Sequence, residues 1–125
     1  MDIAKEARNN SYSPYSNFKV GAALLTKSGK VYKGCNVENQ NYVSGCCGEK
    51  TAFAKAISEG EKEFEAIAIC GGIDGNCDFC LPCGACRQVM SEFCDKDFKI
   101  YVTNGKEVKC YTLEELLPHS FELEK

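Results

Sequence analysis

The amino-acid sequence predicts an α/β protein, a three-layer α/β/α sandwich around a mixed five-stranded sheet. Three observations carry that prediction. Segments with helical and strand-like patterning follow one another in the order α-β-β-α-β-α-β-β-α, the order of a mixed sheet covered by helices. Phe64 to Cys70 alternates and then runs apolar through Ile67, Ala68 and Ile69, as a strand covered on both faces does. The 125 residues, 44% hydrophobic and 26% charged, have ordinary globular usage and suit a single domain, 1–125, with one sizeable core.

Asp2 to Asn10 has helical spacing, with Ile3, Ala4 and Ala7 on one side and Asn9-Asn10-Ser11 ending the pattern. A polar, aromatic loop held by Pro14 follows, and Phe18 to Leu25 reads as a strand. Ser28-Gly29 is the turn of a hairpin whose return strand is Val31 to Cys35. Gly45 to Lys50 leads into a helix over Thr51 to Glu59, where Ala52, Phe53, Ala56 and Ile57 repeat at helical spacing and Gly60 is the stop. After the Phe64 to Cys70 strand, Gly71 to Asn76 is expected to be a loop. Pro82 is expected at the first position of the next helix, where its missing N–H costs nothing, ahead of Cys83, Cys86, Val89, Met90 and Phe93. Phe98 to Val102 is a strand, Asn104-Gly105 turns it, and Val108 to Tyr111 pairs back. Thr112 caps a short final helix in a capping box with Glu115, with Leu113, Leu116 and Leu117 inward and Pro118 as the end. No internal repeat or low-complexity segment is visible.

Composition narrows the function. The first residues, Met1-Asp2-Ile3-Ala4-Lys5-Glu6, contain no apolar run of signal-peptide length, and no later segment approaches a membrane span, so a soluble, cytoplasmic protein is expected. Ten cysteines in a chain able to build its own core then read as thiols rather than as a disulfide framework. The formal charge is −3 and the arginines are Arg8 and Arg87 alone, so no basic face for a phosphate backbone is present and a nucleic-acid partner is not expected.

The chemistry lies in two cysteine-bearing helix starts. Cys83 and Cys86, three residues apart, point both sulfurs to one helical face, and a helix N-terminus favours the thiolate that ligates metal. With Cys47 they make a three-thiolate set that leaves the fourth position of a tetrahedral zinc ion open, the mark of a catalytic rather than a structural site. Water at such a position has its pKa lowered towards about 7. Glu49, two residues from Cys47, is close enough to take its proton without ligating the metal. Cys-x-Glu followed by Pro-Cys-x-x-Cys is the arrangement that zinc-dependent base deaminases are known to use. Three thiolates on a divalent ion leave a negative charge, which Lys50, Arg87 and the two helix N-termini can offset. Taken by itself, the polar cluster Asn36-Val37-Glu38-Asn39 reads as a solvated loop.

Over nearly its whole length the sequence resembles the cytidine deaminases of the small homotetrameric type. The matching stretches are Tyr12 to Leu24, Asn36-Val37-Glu38-Asn39, Cys47-Gly48-Glu49, Pro82-Cys83-Gly84-Ala85-Cys86-Arg87-Gln88 and Glu114-Glu115-Leu116-Leu117-Pro118, all five in order. The resemblance implies a cytidine deaminase-like fold and hydrolysis of cytidine and deoxycytidine to the uridines with release of ammonia. By position it implies one zinc ion per subunit held by Cys47, Cys83 and Cys86, with Glu49 carrying protons to ring N3 and then to the leaving amine. It replaces the solvated-loop reading, since Asn36 and Glu38 match the residues that bind the ribose hydroxyls. Phe18 matches an aromatic packed by the pyrimidine, and the backbone around Gly48 and Cys83 would meet the base edge. Tyr42 and Phe121 match residues that reach a neighbouring subunit's site, which implies a homotetramer with shared active sites. His119 has no expected role beyond facing solvent.

This chain departs from the family pattern in places. Gly48 stands where alanine is usual, and Lys50 where arginine is common, keeping the charge but not bidentate bonding. Cys46 adjoins a ligand, and Cys77 and Cys80 extend the second motif to four cysteines at a spacing of three, which the pattern does not require. That run also admits an iron–sulfur carrier, although ferredoxin spacing places three residues before the last cysteine and proline after it. A closed four-cysteine zinc site is a further reading, and it leaves Glu49 and the 36–39 segment unexplained.

Overall fold

The computed structural model describes residues 1–41, 44–73 and 76–120. In chain order its elements are α1 (Asp2–Arg8), β1 (Phe18–Thr26), β2 (Val31–Cys35), α2 (Gly48–Ser58), β3 (Phe64–Ile73), α3 (Gly84–Phe93), β4 (Lys99–Thr103), β5 (Val108–Thr112) and α4 (Leu113–Leu116). The sheet has five strands in the order β2-β1-β3-β4-β5. β1 is antiparallel to both neighbours, β3 and β4 are parallel, and β5 returns antiparallel, so the sheet is mixed.

Alternation along β1 separates the layers, because successive side chains of a strand point to opposite faces. Val20, Ala22 and Leu24 enter the main core with Phe53 of α2, Met90 of α3 and Ile67, Ile69, Ile100 and Val102 of the central strands. Ala23 points the other way, joining Ala4 of α1 and Cys70 of β3 in a smaller cluster. Two glycines set the helix distances. A Cβ on Gly21 would lie 2.1 Å from the Ala4 carbonyl oxygen, and one on Gly34 would lie 2.4 Å from that of Gly48. Only a bare backbone lets α1 and α2 approach the sheet so closely. Phe53 completes the core against Phe64 at 5.1 Å, edge to face.

The turns form where expected: Gly29, Gly60 and Gly105 all have positive φ, and the Thr112–Glu115 capping box is present. Three of the differences from the expected boundaries bear on packing or on the cysteine motifs. β3 runs on through Gly71, Gly72 and Ile73, which pair with Val20, Lys19 and Phe18. The two glycines mark crowding rather than a loop, for a Cβ on Gly72 would lie 2.0 Å from the Asn76 carbonyl oxygen. α3 begins at Gly84, not Pro82; Cys83 is its N-cap with extended backbone, and the fully buried Pro82 precedes it. α2 likewise begins three residues earlier than expected, at Gly48, with Cys47 as N-cap. Among the described residues no helix is long and apolar enough to cross a membrane.

Candidate active site

Both cysteine motifs fall on equivalent positions of two helices at one end of the sheet. Cys47 caps α2 and Cys83 caps α3, while Cys86, one turn into α3, is buried. The Cys47 and Cys83 sulfurs are 3.5 Å apart, and all three sulfurs lie within 4.8 Å of one another. Tetrahedral zinc with sulfur at about 2.3 Å requires sulfurs roughly 3.8 Å apart. The triad therefore fits a zinc ion in spacing, in donor type and in its place at two positive helix ends. Among the described residues it is the one cluster of three or more metal-ligating side chains.

Electrostatics follow from the crowding. Hydrogen bonding from Cys86, then from Cys83, with the Lys50 charge assisting, lowers the Cys47 thiol to about 6 against the cost of burial. The Cys86 thiol moves strongly upward, because it donates to Cys47 and is buried beside Glu49. One sulfur of the pair thus holds the charge while the other holds the proton, and only a cation lets both ionise. Glu49, in the first turn of α2 and 4% exposed, is raised to about 7, chiefly by burial and then by the charge at Cys47. That value suits a group that must both accept and release a proton near neutrality.

The triad opens on a cavity of about 730 Å³ whose lining includes Phe18, Asn36, Glu38, Gly48, Glu49 and Cys83. Its far wall is a clamp between the 11–17 loop and the end of β2. Asn36 Nδ2 donates to the Phe18 carbonyl at 2.7 Å, and its Oδ1 accepts from the Val20 N–H at 2.9 Å and from the Ser11 hydroxyl. The Glu38 carboxylate accepts from the Tyr15 and Ser16 N–H groups at 3.0 and 3.2 Å and from the Ser16 hydroxyl. These bonds, that of the Ser16 hydroxyl foremost, hold its pKa below the usual carboxylate range. One amide N–H of Asn36 and part of the Glu38 acceptor capacity remain for a ligand.

This geometry has counterparts. Residues 1–102 match the family model described as the cytidine and deoxycytidylate deaminase zinc-binding region. The chain belongs to that family. A cytidine deaminase of Sporosarcina psychrophila is 46% identical over 97% of this chain and 88% of its own length. A blasticidin-S deaminase of Bacillus cereus is 34% identical over 94% of this chain and 86% of its own. The crystal structure of cytidine deaminase from Burkholderia pseudomallei superposes with a TM-score of 0.87 at 46% identity, covering 96% of this chain and 94% of that one.

The remaining residues singled out from the deaminase pattern are distributed as follows. Gly48 is buried, and a Cβ there would sit 3.1 Å from Val20 Cγ1, so the family's usual alanine needs Val20 to give way slightly. Lys50 is exposed and acts on Cys47 through its charge. Arg87 directs Nε to the Pro82 carbonyl at 2.7 Å and Nη1 to the Leu116 carbonyl at 2.8 Å, tying the α3 entry to the end of α4. Cys46 is exposed at the cavity wall and exchanges backbone hydrogen bonds with Val37. Cys80 lines the same cavity, whereas Cys77 lies beside Cys70 under α1. His119 is exposed. Tyr42 and Phe121 lie outside the described residues. Sequence reasoning missed Ser16, which orders Glu38, and Arg8, a buried cation; no local pattern marks either.

Proposed function

We propose that this protein hydrolyses cytidine and deoxycytidine to uridine and deoxyuridine with release of ammonia, serving pyrimidine salvage in the cytoplasm. The observation that carries this reading is one cavity holding a thiol triad at two helix starts, a buried glutamate beside it and a polar clamp opposite. Zinc held by Cys47, Cys83 and Cys86 would supply a water that ionises near neutral pH. Glu49 receives that proton and passes it to ring N3, then takes the proton of the hydroxyl added at C4 and delivers it to the departing amine as the carbonyl forms, a relay its raised pKa permits. A sugar hydroxyl can donate to Glu38 and accept from the free N–H of Asn36, which favours a nucleoside over a bare base. Phe18 offers its ring to the pyrimidine, and the Gly48 and Cys83 backbone meets the base edge.

Three apolar residues lining the cavity, Tyr15, Val37 and Leu81, are exposed. Such a surface suits cover by another subunit, which supports a homotetramer in which Tyr42 and Phe121 complete neighbouring sites. Light scattering on active enzyme is expected to give the mass of four chains, and a fully active monomer would contradict the shared site.

Turnover of cytidine by zinc-loaded protein, with uridine and ammonia both measured, tests the reaction directly. Glu49→Ala is expected to keep zinc and to lower turnover by roughly 10²-fold or more. Wild-type-like activity in that variant removes the proton relay, and absence of cytidine turnover together with turnover of blasticidin S moves the substrate assignment to that relative's.

A further inference from the structure

The second sulfur cluster lies outside the active site. Cys70, fully buried in β3, and Cys77, half-buried in the segment that follows, have their sulfurs 3.0 Å apart. The two are brought together by a tight return of the chain: the Asn76 N–H donates to the Ile73 carbonyl and the Asp78 N–H to the Gly71 carbonyl, each at 2.9 Å. Arg8 of α1 closes over them. Its Nη1 lies 3.4 Å from Cys77 Sγ and 3.8 Å from Cys70 Sγ, while its other nitrogens donate to the carbonyls of Lys19 at 2.9 Å, Gly72 at 3.1 Å and Asn76.

A resident guanidinium repels a metal cation, and no third ligand joins the pair among the described residues. Burial pushes the Cys70 thiol up to about 11 and the Arg8 charge offsets only part of that, so Cys70 keeps its proton; the half-buried Cys77 sulfur beside the guanidinium is the one placed to react, and a thiolate is the form that oxidants meet. We propose that Cys70 and Cys77 are a redox-active pair that forms a reversible intramolecular disulfide when the protein meets a peroxide. Cys77, the more accessible sulfur, attacks the peroxide O–O bond as thiolate, giving a Cys77 sulfenic acid and releasing hydroxide. Cys70 then attacks the Cys77 sulfur; the S–O bond breaks, the S–S bond forms, and the Cys70 proton leaves with the oxygen as water. Two thiols supply the two electrons that reduce one peroxide to two waters, and a dithiol reverses the step by exchange. The sulfurs must close by about 1 Å to reach the bonded distance of about 2.05 Å. Cys77 lies outside the named helices and strands, so it is the partner free to take up that movement.

The test is non-reducing peptide mapping of zinc-loaded protein after brief treatment with hydrogen peroxide. The expected product is one linked peptide pair joining Cys70 to Cys77, lighter by two hydrogens, which disappears after a dithiol reductant. Cys70→Ser and Cys77→Ser should each abolish that link, whereas Cys80→Ser should leave it. Cys70 and Cys77 both remaining open to alkylation after oxidation overturns the proposal. So does a link from Cys77 to Cys80 in place of Cys70. Neither readout depends on the substrate or on turnover, so the pair can fail without touching the deaminase reading, and the reverse.

Discussion

The Cys47, Cys83 and Cys86 triad and the Cys70 and Cys77 pair are both groups of close-packed sulfurs, with Cys47 and Cys83 3.5 Å apart in the first and 3.0 Å between the two in the second. Their neighbours differ. The triad stands at two helix N-termini with the Glu49 carboxyl beside it and a cavity in front. The pair stands in a small apolar cluster under α1 with the Arg8 guanidinium against it. An acid and an opening prepare sulfurs for a metal cation and a substrate; a fixed cation and a lid prepare them for electron loss. Spacing in the sequence says little about this, since Cys77 shares a regular three-residue repeat with Cys83 and Cys86 yet joins a different cluster.

Exchanging one buried sulfur from each cluster gives the largest contrast. Cys86→Ala and Cys70→Ala remove similar fully buried thiols, so their costs in folding stability should be similar. Cys86→Ala is expected to empty the zinc site and to lower turnover by far more than the roughly 100-fold that loss of a supporting hydrogen bond costs. Cys70→Ala should retain one zinc per chain. Metal analysis of the two purified variants decides it; equal zinc loss in both would erase the distinction between the clusters.

Much of this was legible in the sequence, and the exceptions share a cause. The order of elements, the hairpin turns, the capping box and the convergence of the two cysteine motifs all follow from local pattern. The misplaced boundaries involve residues selected for close approach. Gly71 and Gly72 read as a loop, but they are strand residues without side chains because the returning chain passes over them. Pro82 reads as the first helical residue, but it is packed in the core one residue before the cap. Arg8 carried no signal at all: its partners lie 11 to 69 positions away, from the Lys19 carbonyl to the Cys77 sulfur. Long-range partners of a single charged residue leave no periodicity to find.

A smaller effect separates the roles of charge in the two places. Glu49 has a folded pKa raised from 4.5 to about 7, so between those values the folded chain holds a proton that the unfolded chain has lost. Stability attributable to Glu49 is therefore intact below about pH 4.5 and falls as pH rises to about 7, by about 3 kcal/mol in all. Glu49→Gln in metal-free protein should recover that stability near pH 7 and show no advantage below pH 4.5. Urea titrations of both proteins at the two pH values measure the difference. An advantage that is the same at both would mean that the carboxyl is not held protonated by its burial.

Cys80 is the intermediate case and carries the smallest expected effect. It follows Cys70 and Cys77 and precedes Cys83 and Cys86, and it lines the cavity without belonging to either cluster. Burial, with the Glu49 charge adding to it, pushes its thiol up to about 12, so it stays neutral at working pH. Among the described residues its sulfur joins no group of three metal-ligating side chains, whereas those of Cys47, Cys83 and Cys86 lie together. Cys80→Ser should thus leave zinc stoichiometry and kcat unchanged, with any effect confined to KM through the slightly more polar cavity wall. If the variant instead loses zinc, the open three-sulfur site gives way to a closed four-sulfur one. Glu49 would then have no exchangeable position to serve, and the catalytic reading of the cavity would fall with it.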